Sequence, residues 1–118
     1  MSHVILVVDD DPSVRASTVR LLAVRGYTVF EAATAAEALA KASTVGPEVI
    51  LMDLHMPGTS GLQAARQLKA DDALKHIPII ALSATPSAAD PFALFFAVLR
   101  KPCPSNEIVR AIESAVSI

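Results

Sequence analysis

The sequence predicts an α/β fold, a doubly wound five-stranded parallel sheet with helices on both faces. Short runs of β-branched and aliphatic residues recur along its 118 residues. They lack the polar alternation of half-exposed strands, which fits strands covered on both faces. Segments with helical spacing separate most of them, giving the order βαβαβαβ(α)βα. The apolar runs also stop abruptly at acidic, hydroxyl or basic residues.

Val4 to Val8 is the first run, and it stops at Asp9-Asp10-Asp11. Asp11 suits a helix N-cap and Pro12 the first helical turn. Val14, Thr18, Leu21 and Leu22 follow at helical spacing, and Gly26 suits the end of that helix. Tyr27 to Glu31 is the second strand. Residues 35–44 are alanine-rich, with Ala38, Leu39 and Ala42 on one face, and Gly46-Pro47 breaks the helix. Val49 to Met52 is the third strand, ending at Asp53. Met56-Pro57-Gly58 is a loop, and a helix over residues 60–70 buries Leu62, Ala65 and Leu68. Ile77 to Leu82 is the fourth strand, ending at Ser83. Pro86 and Pro91 limit any helix between them to one or two turns. Phe95 to Leu99 is the fifth strand, followed by Arg100-Lys101-Pro102. A last helix over residues 105–116 places Ile108, Ala111, Ile112 and Ala115 on one face. With no repeat or linker, one domain is expected to fill residues 1–118.

Hydrophobic residues make up 53% of the chain and charged residues 19%, enough apolar material for a core. A net charge of −2 carries no footprint of direct nucleic-acid binding. No apolar run approaches the roughly 20 residues that cross a bilayer, so no membrane contact is expected. Cys103 is the single cysteine and cannot form an internal disulfide. The N-terminus lacks the basic region of a signal peptide. A reducing cytoplasm is the expected location. His3, His55 and His76 have no metal-ligand spacing, and Gly58 and Gly61 read as turn and helix-start residues.

The polar residues at the strand ends carry the chemistry. In open α/β sheets, ligands bind beyond the carboxyl ends of the strands, where strand order reverses. Asp9 and Asp10 follow the first strand, Asp53 the third, Ser83 the fourth and Lys101 the fifth. Carboxylates gathered in a cleft repel one another, and a hard divalent cation relieves that repulsion. A carboxylate is also a nucleophile able to form an acyl phosphate. An ammonium and a hydroxyl can hold phosphoryl oxygens.

Four ordered stretches, ILVVDDDP at 5–12, ILMDLHMPGTSGL at 50–62, IIALSA at 79–84 and KP at 101–102, resemble the receiver domain of two-component response regulators, the chemotaxis-type single-domain switch. The resemblance covers essentially the whole chain. It implies a flavodoxin-like sheet of order 2-1-3-4-5. It also implies that Asp53 accepts a phosphoryl group from a phosphohistidine on a histidine kinase or a histidine phosphotransfer protein. Asp10 and Asp53 would bind Mg²⁺ (or Mn²⁺), Asp9 would act through water, and His55 would offer its backbone carbonyl. Ser83, with the small Ala84 after it, would be the switch hydroxyl, and Lys101 the phosphate-binding lysine. By the same resemblance the Lys101–Pro102 bond is expected to be cis, and the domain is not an enzyme beyond its own phosphorylation and dephosphorylation.

The sequence departs from the family on one side. Val98 stands where the family carries an aromatic residue, and Leu94-Phe95-Phe96 replaces the usual Ala-Gly. The stretch from Ser83 to Lys101 is short, so the helix between the fourth and fifth strands is expected to be shortened or missing. Phe92, Phe95, Phe96 and Val98 then become an expected partner surface on a monomer or weak dimer. The downstream partner is unknown. Two alternatives stand beside this reading. One is a haloacid-dehalogenase-like phosphatase with Asp9 as nucleophile, which leaves Asp53 without a role. The other is a degenerate receiver that acts only as a binding module. The same residues also suit a relay intermediate or a receiver within a longer protein.

Overall fold

A computed structural model describes residues 3–54, 61–84 and 94–116. The elements run β1 (Val4–Val8), α1 (Pro12–Val24), β2 (Thr28–Ala32), α2 (Ala35–Val45), β3 (Val49–Asp53), α3 (Gly61–Ala70), β4 (Ile79–Ser83), β5 (Ala97–Arg100) and α4 (Ser105–Val116). The strands form one parallel sheet of order β2-β1-β3-β4-β5. Four helices lie among the described residues, none of them between β4 and β5. The expected shortening or loss of that helix falls on residues 85–93, outside the described residues.

Local chemistry sets the helix ends. The Asp11 carboxylate accepts the N–H groups of Ser13 at 2.9 Å and Val14 at 3.2 Å, and Pro12 follows it. Thr34 caps α2 by accepting the Glu37 N–H at 3.1 Å. Gly46 ends α2 at φ +64°, a left-handed conformation open to a residue without a Cβ.

Three strands begin later than apolar content alone predicts. The Tyr27 N–H donates to Leu22 O, which ties Tyr27 to the end of α1 and starts β2 at Thr28. The Ile77 N–H donates to Leu74 O, so Ile77 belongs to the turn before β4. Phe95 and Phe96 precede β5, and the Phe96 N–H docks on Ile79 O at 2.8 Å.

The sheet divides the interior in two. On one face Leu6, Val8, Ile50, Met52 and Ile79 pack with Ala38 and Ala42 of α2 and Ala64, Ala65 and Leu68 of α3. On the other, Ile5, Val7, Val49, Leu51 and Ile80 pack with Leu22 of α1 and Ile108, Ile112 and Ala115 of α4. The stripe expected on α1 is only partly inward. Leu22 is buried, Thr18 and Leu21 are half-buried, and Val14 is 46% exposed. Leu62 of α3 is half-buried, and Ala64 takes the inward place. No described helix is long and apolar enough to cross a membrane.

Candidate functional site

Sheet order places the site. The chain adds β2 on one side of β1, then crosses back to add β3 on the other, so the connections after β1 and β3 diverge and leave a cleft. Val8 pairs with Met52, which brings the next residues, Asp9 and Asp53, to the same level. Asp9, Asp10 and Asp53 each place a carboxylate oxygen within 4.8 Å of the other two. Asp9 and Asp53 are buried, and Asp10 is half-buried.

Asp9 is held by three bonds. Its Oδ1 accepts the Asp11 N–H at 2.9 Å. Its own N–H donates to Ala32 O at 3.1 Å. Its carbonyl accepts Arg15 Nη1 at 2.8 Å. Burial pushes the Asp9 carboxyl above its ordinary pKa, and the charges of Asp53 and Asp10 push the same way. The Asp11 N–H and the Lys101 ammonium pull against this shift.

Lys101 enters the cleft from the end of β5. Its N–H donates to Ser83 O at 2.9 Å, tying the ends of β4 and β5 together, and the Lys101–Pro102 peptide is cis. Its Nζ donates to Asp53 Oδ1 at 2.7 Å. Ser83 is buried at the end of β4 and Ala84 is exposed beside it. Among the described residues, three carboxylates against one ammonium leave the cleft negative. The carboxylates' donor atoms are all hard oxygens, which suits a hard divalent cation.

The structure thus brings together Asp9, Asp10, Asp53 and Lys101. His55 and Phe92 lie outside the described residues. The remaining surface candidates sit apart from the carboxylates. Phe95 is half-buried against the α2–α3 side of the core, Val98 is half-buried and Phe96 is 40% exposed. Phe96 borders a groove of about 350 Å³ with Leu99, Glu107, Arg110 and Ala111. Arg15 is the site neighbour that sequence reasoning misses, because a basic residue in the first turns of a surface helix is ordinarily solvated.

A parallel sheet of this order, with carboxylates and a lysine at its carboxyl edge, is the frame of a phosphoacceptor signalling domain. The chain matches the response regulator receiver domain over residues 5–113 and belongs to that family of two-component signalling modules. It is 36% identical over 86 residues to the protein PilH of Pseudomonas aeruginosa, covering 73% of this chain and 71% of PilH. It is 41% identical over 80 residues to the phosphate regulon transcriptional regulatory protein PhoB of the same organism, covering 68% of this chain. The match spans only 35% of PhoB. Among solved structures, the chemotaxis response regulator CheY4 of Vibrio cholerae superposes with a TM-score of 0.88 at 27% identity, over 98% of this chain and 99% of that one. The response regulator TrrA of Thermotoga maritima, in complex with Mg(2+)-BeF, superposes with a TM-score of 0.86 at 27% identity, over 96% and 98% of the two chains. The family match favours the receiver over the haloacid-dehalogenase alternative.

Proposed function

We propose that Asp53 is the phosphoacceptor and that Asp9, Asp10 and Asp53 hold a Mg²⁺ ion beside it, with the His55 carbonyl as a further ligand. The observation that carries this is the 2.7 Å contact of Lys101 Nζ with Asp53 Oδ1, beside two further carboxylates. The Mg(2+)-BeF complex of the related TrrA supports the same reading. A bound divalent cation supplies charge neutralisation for the carboxylates and the incoming phosphoryl oxygens.

The chain's own residues do the rest. A carboxylate oxygen of Asp53 attacks phosphorus, and the P–N bond of a phosphohistidine breaks with its electron pair leaving on the donor imidazole. Lys101 moves from the carboxylate to a phosphoryl oxygen, keeping its charge near the developing negative charge. Ser83 offers a hydroxyl to another oxygen, and the small Ala84 leaves room for it. A histidine kinase or histidine phosphotransfer protein is the donor, in the cytoplasm. Output is read by a protein partner on the β5 side, where Phe96 is exposed, Phe95 and Val98 are half-buried, and Phe92 lies nearby in sequence.

The test is incubation with acetyl phosphate and Mg²⁺, read by intact mass on wild type and Asp53→Asn. Wild type gains one phosphoryl group and the variant gains none. An adduct that persists in Asp53→Asn overturns the assignment.

A further inference from the structure

Arg15 joins three elements at the edge of the carboxylate cluster. Its Nη1 donates to the Asp9 carbonyl at 2.8 Å, and its Nε donates to Glu31 Oε1 at 2.9 Å. The side chain is 19% exposed, far below a solvated surface arginine, so the fork is held in place. Glu31 lies on β2 opposite Val7 of β1, and its own carbonyl accepts Lys41 Nζ from α2. On the same strand Ala32 O accepts the Asp9 N–H. The Asp9 main chain is therefore clasped on both sides of its Cα, by β2 through its N–H and by α1 through its carbonyl. Among the described residues, the ion pair Arg15 makes is with Glu31 and not with the cluster.

We infer that Arg15 is a positioning residue for the cation site, fixing the Asp9 main chain while Glu31 balances its charge outside the cleft. The inference rests on the proposed Mg²⁺ site. The geometry gives two consequences. The planar guanidinium aims N–H groups from two different nitrogens, Nη1 and Nε, at a carbonyl and a carboxylate, a spacing that an ammonium with all its donors on one nitrogen does not reproduce. And because Glu31 takes the guanidinium charge, Arg15 orders the turn without competing for the carboxylates that a cation needs. Residues that orient metal ligands from behind commonly change metal affinity when replaced.

The experiment is Mg²⁺ titration of the full chain, followed by amide chemical shifts and calorimetry, on wild type, Arg15→Gln, Arg15→Lys and Lys69→Gln. Lys69 is the control. Its Nζ also clasps two carbonyls, Lys75 O and Ile77 O, but at the far end of α3 from the carboxylates. Both Arg15 variants are expected to bind Mg²⁺ about tenfold more weakly. Lys69→Gln is expected to lose thermal stability and to keep wild-type Mg²⁺ affinity. Wild-type affinity in either Arg15 variant overturns the inference, and so does an equal weakening in Lys69→Gln. If wild type itself shows no Mg²⁺ binding, the cation site fails and the inference fails with it.

Discussion

Gly61 opens α3 so close to the end of β3 that a Cβ built on it would lie 2.6 Å from the carbonyl oxygen of Asp53. The same Cβ would lie 2.8 Å from Leu54 Cα. Both are main-chain atoms, which cannot swing aside as a flexible side chain can. Gly61→Ala is therefore expected to cost about 1–3 kcal/mol in denaturant unfolding. It should also slow acetyl phosphate labelling, because the residue that must yield is Asp53, the proposed phosphoacceptor. Wild-type stability in Gly61→Ala would mean that α3 backs away freely.

Lys101 Nζ pairs with Asp53 Oδ1 at 2.7 Å. Replacing it with methionine leaves a buried carboxylate facing its like-charged neighbours. Because the ammonium is about one-third exposed, the expected loss without metal is modest, about 1 kcal/mol. Added Mg²⁺ should raise the melting temperature of Lys101→Met more than that of wild type, since the ammonium no longer opposes the ion. Phosphoryl labelling should nonetheless slow. Equal Mg²⁺ shifts in the two proteins would contradict this.

Asp9 is strained by burial, and Asp9→Asn tests that. Asparagine still presents an oxygen to the Asp11 N–H but carries no charge. The Asp9 carboxyl has a raised pKa when folded, so its cost is fully present above that raised value. The cost disappears as pH falls below the ordinary carboxylate pKa, where folded and unfolded forms are both protonated. Metal-free Asp9→Asn should therefore be more stable than wild type at neutral pH, with the gap closing in acid. Its Mg²⁺ affinity should fall. Urea unfolding across pH in a chelator decides the first point.

At the opposite end of the sheet, Glu48 Oε2 lies 2.6 Å from His3 Nδ1, and Oε1 accepts the Val4 N–H at 3.2 Å. The bond to His3 holds the Glu48 carboxyl below its ordinary pKa. This stabilisation is present above the ordinary carboxylate pKa and is lost as pH falls through the lowered one. Both side chains are more than two-fifths exposed, so Glu48→Gln should cost about 0.5 kcal/mol or less at neutral pH. The difference should vanish in acid. A difference that grew toward low pH would reverse the assigned sign.

Much of this was legible in the sequence, for identifiable reasons. Strands buried on both faces leave apolar runs, and the residue after each run lands at the carboxyl edge, which is why Asp9, Asp10, Asp53 and Lys101 stood out. The starts of β2, β4 and β5 were not legible. Tyr27, Ile77 and Phe95 are apolar because they pack, and only their hydrogen bonding separates a packed turn from a strand. Arg15 and Glu31 were hidden for another reason. They belong to a helix and an edge strand, and they meet only because β2 lies beside β1, a fact that spacing along the chain does not contain. Gly61 was visible as a helix start, but its closeness to Asp53 depends on how α3 sits against β3.

The two-sided interior has a consequence for how this protein tolerates change. Leu68 and Ile112 belong to clusters on opposite faces of the sheet. Well-separated substitutions without shared partners add nearly independently. Leu68→Ala and Ile112→Ala should each cost about 2–5 kcal/mol. Their combination, if still folded in a stabilising osmolyte, should cost the sum. The sheet then works as a bulkhead between two mutational compartments. The helices on one face can drift and repack for new neighbours while those on the other keep their inheritance, and the carboxylate rim belongs to neither.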